Sequence, residues 1–370
     1  MKTYPLIKNF FLLFITFFIA CLLIEMVLRI FSAPGTKIAC YMLDEVAGFK
    51  YYPYSNSIYV SKKGKCVIRK ANKFGYLDKN HSVEKEGFYR IAFFGDSFTE
   101  ALQVPLENTF FRIIENRINN ETISPKIETL SFGVSSYGTL QSYLTCKQWI
   151  DKLDLDLVVY VFYENDLGDQ VKQINTLDMV PYAQLDNGNL SIDKAFIGKY
   201  SYKLKEPMRT FKFIRDRSFL LSEIYRRMSL LKKQFRKTKP SENKNGYIPD
   251  QNDPPSKWPP YLIKTAEDLG AEVLLEWNNS VVSSGRSFCV LYIPREDQLE
   301  ISTENQDSWK KWLQDFCYSS NIAFIDPTSA LVYQKKMGNP VYDDHFSLRG
   351  HSAISDVFVS WFKDFKQIVE

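Results

Sequence analysis

Tyr89-Arg90-Ile91-Ala92-Phe93-Phe94-Gly95-Asp96-Ser97-Phe98-Thr99-Glu100 is the stretch on which the chain turns. Residues 91–94 form a short apolar run, long enough for a buried parallel strand. The run stops at Gly95-Asp96-Ser97, where small and polar residues favour a sharp turn. Residues 102–119 are punctuated by Pro105 and then read as a helix, with Phe111, Ile114 and Ile118 on one face. Ser97 is therefore expected where a strand hands over to a helix. There its hydroxyl would meet free backbone N–H groups and the positive end of a helix dipole. As a lone tripeptide, Gly-Asp-Ser is an ordinary turn or helix cap. A serine nucleophile also requires a base, a group that orients the base, and an oxyanion hole.

Few residues can be the base. The chain has three histidines, His81, His345 and His351. His81 lies in the charged run Asp78-Lys79-Asn80-His81-Ser82-Val83-Glu84-Lys85, which reads as a solvated loop. The other two lie in Tyr342-Asp343-Asp344-His345-Phe346-Ser347-Leu348-Arg349-Gly350-His351, a loop just before a final helix. An aspartate two residues before His345 can reach the imidazole it would orient.

These segments resemble the motifs of the SGNH hydrolases, also called the GDSL-like family. Gly95-Asp96-Ser97-Phe98-Thr99 resembles the first motif, Gly133 in Leu130-Ser131-Phe132-Gly133-Val134 the second, and Asn165-Asp166 the third. Asp343 and His345 resemble the last, followed by Gly350. The motifs run from Gly95 to His351 in the family's order. Two positions depart from it. The usual aspartate, three before the histidine, is Tyr342 here; Asp343 takes the role, with Asp344 as runner-up. The glycine two before the asparagine is Tyr163. The resemblance implies a three-layer αβα, flavodoxin-like fold and a Ser97–His345–Asp343 triad. It further implies an oxyanion hole from the Ser97 and Gly133 backbone N–H groups and the Asn165 side-chain amide. Gly133 would suit that task because a side chain there would obstruct the approach to substrate. No cofactor is implied. Anchored extracytoplasmic relatives add or remove O-acetyl groups on polysaccharides, so an esterase or acyltransferase acting on an acylated glycan or small ester is expected. The alternative is a non-catalytic anchored module that binds a glycan or assembles an export complex.

Composition bounds these readings. The 370 residues are 45% hydrophobic and 15% aromatic, ample for a large core and too apolar for a disordered chain. A net charge of +4 implies no nucleic-acid partner. No Cys-x-x-Cys or His-x-x-x-His spacing suggests a metal site. Of the six cysteines, Cys40 and Cys66 flank a Tyr-rich segment and could be bridged if the domain lies outside the cytoplasm.

Outward from the central stretch, residues 1–9 carry Lys2 and Lys8 and are expected in the cytoplasm. Residues 10–31 are almost wholly apolar, 22 residues or roughly 33 Å of helix, enough to span a bilayer. Glu25 and Arg29, four apart, can pair near one end of it. No small-residue cleavage site follows, so the segment reads as an uncleaved single-pass anchor in the inner membrane with the rest of the chain periplasmic. Residues 32–88 form a Tyr- and Lys-rich lead-in, and residues 89–370 the hydrolase domain. In that domain strands are expected at 126–130, 155–162, 287–293 and 322–325, and helices at 138–150, 261–284, 309–318 and 348–365. With the strand ending at Gly95, this alternation predicts an α/β fold with a five-stranded parallel sheet. Residues 170–260 interrupt it and are expected as a cap over the site. Within this insertion, residues 203–239 hold thirteen Lys/Arg against three Asp/Glu, with Leu220, Ile224, Met228, Leu231 and Phe235 at helical spacing. That pattern suits an amphipathic helix packed on the core, or one contacting anionic lipid or glycan.

Overall fold

A computed structural model describes residues 4–30, 37–61, 63–121, 125–175, 177, 179–186, 188–198, 214, 218–221, 223–224, 227–228, 249, 253–300 and 309–369. The chain starts with helix α1 (Tyr4–Ile30). Five short strands follow: β1 (Lys37–Ile38), β2 (Tyr41–Asp44), β3 (Gly48–Tyr51), β4 (Asn56–Val60) and β5 (Cys66–Lys70). The chain then runs β6 (Tyr89–Gly95), α2 (Ser97–Glu100), α3 (Phe110–Asn119), β7 (Ile127–Gly133), α4 (Thr139–Trp149), β8 (Leu157–Tyr163) and α5 (Asn165–Asp169). A hairpin, β9 (Tyr182–Asp186) and β10 (Asn189–Asp193), precedes the long helix α6 (Pro260–Ser283). The chain closes with β11 (Ser287–Ile293), α7 (Lys310–Ser319), β12 (Ala323–Ile325), α8 (Thr328–Lys336), β13 (Tyr342–Asp343), β14 (His345–Phe346) and α9 (Leu348–Val369).

Strands β12, β11, β8, β6 and β7 lie side by side in that order, all parallel. Each central strand is buried on both faces, which is why its sequence is continuously apolar. Side chains alternate between two cores. Phe94, Phe132, Tyr160 and Tyr292 point to a layer with Leu140 of α4 and Trp277 of α6. Ile91, Phe93, Val159 and Leu291 point to the other, with Ile114 of α3 and Ile354, Phe358 and Phe362 of α9. The architecture is a three-layer αβα sandwich around a five-stranded parallel sheet. Helix α8 and the four-residue α2 were not anticipated; both are too short for their own periodicity to stand out.

The lead-in is more structured than its composition suggests. β1, β4 and β5 form one antiparallel sheet, β2 and β3 another. Tyr51, Tyr59, Tyr76 and Leu77 are buried in the same core as Phe94 and Phe132. The Tyr76 and Phe132 rings meet edge to face at 4.8 Å. Lys37 of β1 reaches the buried Glu100 at the end of α2, Nζ to Oε1 2.6 Å. Asn80 and residues 82–84 of the run around His81 are exposed as expected, but His81 and Asp78 are not. His81 is buried between Asp78 and Glu128, and Arg90 and Arg112 complete the cluster. None of the six cysteines forms a disulfide; Cys40 is buried and Cys66 exposed, with no bridge between them.

Within α1, Ile7–Leu28 is long and apolar enough to cross a membrane. Its expected Glu25–Arg29 pair falls on a side chain outside the described ones. Glu25 accepts hydrogen bonds from Ser218 Oγ (2.8 Å) and from the backbone N–H groups of Phe219 (3.0 Å) and Leu220 (2.9 Å). Of the 170–260 insertion, the described β9–β10 hairpin packs on α6. Most of residues 203–239, and so the basic amphipathic reading, lies outside the described residues.

Candidate active site

Gly95 ends β6, and Asp96 caps the short helix that follows. The Asp96 side chain accepts the Phe98 backbone N–H at 2.8 Å. Ser97 is thereby fixed as the first helical residue at the carboxyl edge of the sheet. Gly133 closes the neighbouring strand β7 in register with Gly95. Asn165 opens α5 directly beyond β8, on the other side. Three adjacent strand ends thus carry three of the motif residues, where an open parallel sheet offers its ligand site.

The fourth motif arrives from the far end of the chain. β13 and β14 make a minimal hairpin in which Asp343 pairs with His345 and Tyr342 with Phe346. Ser347 Oγ donates to Pro340 O (2.6 Å) and accepts the Gly350 N–H (3.3 Å), tying the hairpin to α9. A Cβ on Gly350 would lie 2.4 Å from Val341 O, so only glycine lets α9 begin this close to the hairpin. The result sets His345 Nε2 2.7 Å from Ser97 Oγ, a hydrogen bond between residues 248 apart in sequence. The Phe98 ring packs beside the imidazole, centroids 4.6 Å apart.

The carboxylate facing the imidazole is not the expected one. Asp344 Oδ2 lies 3.5 Å from His345 Nδ1, a nitrogen that is buried and makes no hydrogen bond. Asp343 instead lines a groove with Tyr59, Gln103, Phe346 and Arg349. The expectation assumed an extended loop, in which residues 343 and 345 would point the same way. Asp344 breaks that alternation: its φ is +73°, in the left-handed region, so the hairpin turns on it and its side chain swings back toward the histidine.

Gly133 is required for a reason different from the one expected. A Cβ there would stand 2.1 Å from the Glu100 nitrogen and 2.3 Å from the Thr99 carbonyl carbon. Its lack of a side chain lets α2, and with it Ser97, settle on the end of β7. Asn165 is buried, and its Nδ2 donates to Asp169 Oδ2 at 2.9 Å, one turn along α5. An amide nitrogen has two hydrogens, so one remains for a substrate oxygen while Asp169 fixes the orientation. Asp169, which accepts from Asn165, was not singled out from sequence; its i+4 spacing from Asn165 was the available signal.

Carboxylates crowd beneath Ser97. Asp166 is fully buried and accepts from Tyr160 Oη (2.8 Å) and the Tyr163 N–H (3.1 Å). Burial pushes the Asp96 carboxyl up to about 6. Burial, joined by the charge of Asp96, pushes Asp166 well above the usual carboxylate range. His351, the third histidine, lies outside this chemistry. Its Nδ1 accepts the Phe110 N–H at 3.2 Å, at the start of α3, and burial lowers its pKa to about 3.

Ser97, Gly133, Asn165 and His345 are the four motif positions of the SGNH resemblance, and they stand together on the fold it implies. No protein-family model and no curated protein matches the chain. Solved structures similar to it include a lipolytic protein of the G-D-S-L family from Veillonella parvula DSM 2008, 12% identical, covering 74% of this chain and 98% of that one, TM-score 0.40. The acetyl xylan esterase AlAXEase is 11% identical, covering 73% and 98%, TM-score 0.39. A catalytic mutant of the acetylxylan esterase Axe2 from Geobacillus stearothermophilus is 11% identical, covering 75% and 95%, TM-score 0.40.

Proposed function

We propose that this chain is a serine esterase or acyltransferase of the SGNH type, with Ser97 as nucleophile, His345 as base and Asp344 as the acid that orients it. One observation carries the proposal: the 2.7 Å contact between Ser97 Oγ and His345 Nε2 at the carboxyl edge of a parallel sheet. In the first step Oγ bonds to an ester carbonyl carbon as its proton passes to Nε2. The tetrahedral oxyanion is held by the Ser97 and Gly133 backbone N–H groups and the Asn165 amide, each worth about 3 kcal/mol of barrier in comparable sites. When the carbonyl re-forms, the alkoxide leaves with the proton from His345. Water or a sugar hydroxyl then gives its proton to His345 and attacks the acyl-enzyme; as the second intermediate collapses, His345 returns that proton to Ser97 Oγ, which leaves as the free hydroxyl. Water yields an acid and an esterase; a sugar hydroxyl yields a new ester and a transferase.

The substrate assigned is an O-acyl ester, O-acetyl by preference, on an extracytoplasmic polysaccharide. It rests on the resemblance of the motifs and on the apolar helix ahead of them. We read that helix as a retained inner-membrane anchor, with residues 32–370 periplasmic. The Glu25 bonds to Ser218, Phe219 and Leu220 support retention, because they tie the helix to the rest of the chain. Lys2 and Lys8 ahead of the helix support a cytoplasmic N-terminus.

The test is Ser97→Ala in the full-length protein in detergent. Hydrolysis of 4-nitrophenyl acetate is expected to fall to background with the circular dichroism spectrum unchanged. Labelling by a fluorophosphonate, strong in the wild type, is expected to vanish. Near-normal turnover or labelling in the variant would remove Ser97 from the chemistry and leave a binding module as the better reading.

A further inference from the structure

Asp344 sits in a conformation that few residues adopt, at the tip of a two-by-two hairpin, and its carboxylate is more than a third exposed. The positive φ turns the side chain toward the histidine, but a carboxylate this exposed gains little from packing to hold it there. A group from another part of the molecule supplies direction. Tyr59 Oη donates to Asp344 Oδ2 at 3.2 Å, across 285 residues of sequence. It is the same oxygen that faces His345 Nδ1. Tyr59 is itself 4% exposed and belongs to β4, the middle strand of the β1–β4–β5 sheet. Its hydroxyl is therefore delivered by a rigid, sheet-borne ring with two rotatable side-chain bonds.

The geometry points to Tyr59 as a positioning residue: it aims Asp344 at His345, and so makes the lead-in sheet part of the active site. This inference rests on the proposed Ser97–His345–Asp344 reading. Two further contacts show that the lead-in is docked firmly enough for the task. Lys37 Nζ lies 2.6 Å from Glu100 Oε1 and 2.5 Å from Ser135 Oγ, beside the nucleophile's helix. Arg69 of β5 is buried and donates to the carbonyls of Ala101 (3.0 Å) and Val104 (3.2 Å) in the turn beyond that helix. The sheet that carries Tyr59 is thus pinned to the segment that carries Ser97, and the triad with its positioning residue is assembled from three separate parts of the chain.

The Tyr59 ring also walls a groove of about 300 Å³ with Ser61, Lys65, Gln103 and Phe346. Removing the ring would change that groove; removing only the hydroxyl would not. The discriminating variant is therefore Tyr59→Phe, assayed in the full-length protein on 4-nitrophenyl acetate. A misaimed orienting group is expected to lower kcat about 10-fold to 100-fold, with KM within about twofold. In an Asp344→Asn background the same substitution is expected to change kcat less than twofold, because its route of action is already gone. Wild-type kcat in Tyr59→Phe would overturn the inference. So would an equal loss in both backgrounds, which would mean a structural effect independent of Asp344. Ser97→Ala run alongside separates the two levels: if it is inactive while Tyr59→Phe is normal, the positioning role alone fails. If Ser97→Ala keeps its turnover, the nucleophile reading fails, and the role of Tyr59 with it.

Discussion

His81 gives both ring nitrogens to carboxylates: Nε2 lies 2.9 Å from Asp78 Oδ2 and Nδ1 2.7 Å from Glu128 Oε1. Around them, Arg112 Nη2 stands 3.1 Å from Asp78 Oδ1 and Arg90 Nε 2.9 Å from Glu128 Oε2. Burial works against charge on His81, yet the two carboxylates outweigh it and raise its pKa. His345 has one nitrogen on a serine hydroxyl and the other merely near an acid, at 3.5 Å. An imidazolium held at both ends has no lone pair to offer and no room to accept a proton. An imidazole with a hydroxyl on one side and a loosely held carboxylate on the other can take a proton and be stabilised once it has it. The difference marks His345, incompletely satisfied beside Ser97, as the better candidate for a base. The better-bonded histidine of this molecule belongs to its framework.

The widest separation is expected from substituting each histidine with glutamine. His345→Gln should lower kcat on a small acetyl ester by about 10⁴-fold, with thermal unfolding near wild type. His81→Gln should do the reverse, costing about 3–5 kcal/mol of stability by stranding Asp78 and Glu128 beside fewer cations, while the folded fraction keeps its kcat. Steady-state kinetics and urea unfolding on both variants check this. Loss of activity without loss of stability in His81→Gln would collapse the distinction.

Next in size comes the choice between adjacent aspartates. Asp344→Asn is expected to lower kcat by about 10²–10⁴-fold through the wrong imidazole tautomer. Asp343→Asn, whose side chain faces the groove, should stay within about twofold. A large loss at Asp343 with Asp344 near normal would return the role to the residue that spacing alone suggested.

The smallest effect is on stability against pH, and the histidines again part company. Burial lowers the pKa of His351 to about 3, so its contribution is complete above its ordinary 6.5 and is lost as the pH falls through about 3. Asp78 is pulled down to about 2, against burial, by Arg112 and His81; its contribution is complete above 3.8 and is lost as the pH falls through about 2. His81 runs the other way: its contribution is complete below 6.5 and is lost only as the pH rises through its raised folded value. Urea midpoints measured between pH 7 and pH 3 should therefore decline toward acid, and His351→Gln should flatten that decline. An unchanged slope would mean that His351 is not held neutral.

Much was legible before any coordinates. The apolar runs of β6, β8 and β11 announce strands buried on both faces, because a central parallel strand has no polar face to show. The turn at Gly95-Asp96-Ser97 and the late His345 were readable because small residues and helix caps act locally. The five-stranded sheet and the placing of Ser97 at its carboxyl edge follow from those signals.

What only the tertiary structure decided is where long-range contacts override local rules. A run of charged residues reads as solvated until the fold buries His81, Asp78 and Arg90 together, since sequence records charge and not its partners. The lead-in strands are two to five residues long, too short for an alternation to register. The exchange of Asp343 for Asp344 turns on one positive φ in a residue that is not glycine, a cost offset by contacts that include His345 and Tyr59. Sequence by itself determined the sheet and picked out Ser97 and His345, because strand runs, turns and caps are written locally. Which aspartate faces His345, and the Tyr59 hydroxyl that meets it from 285 residues away, were decided by the folded structure alone, because a local turn and a long-range contact have to coincide there.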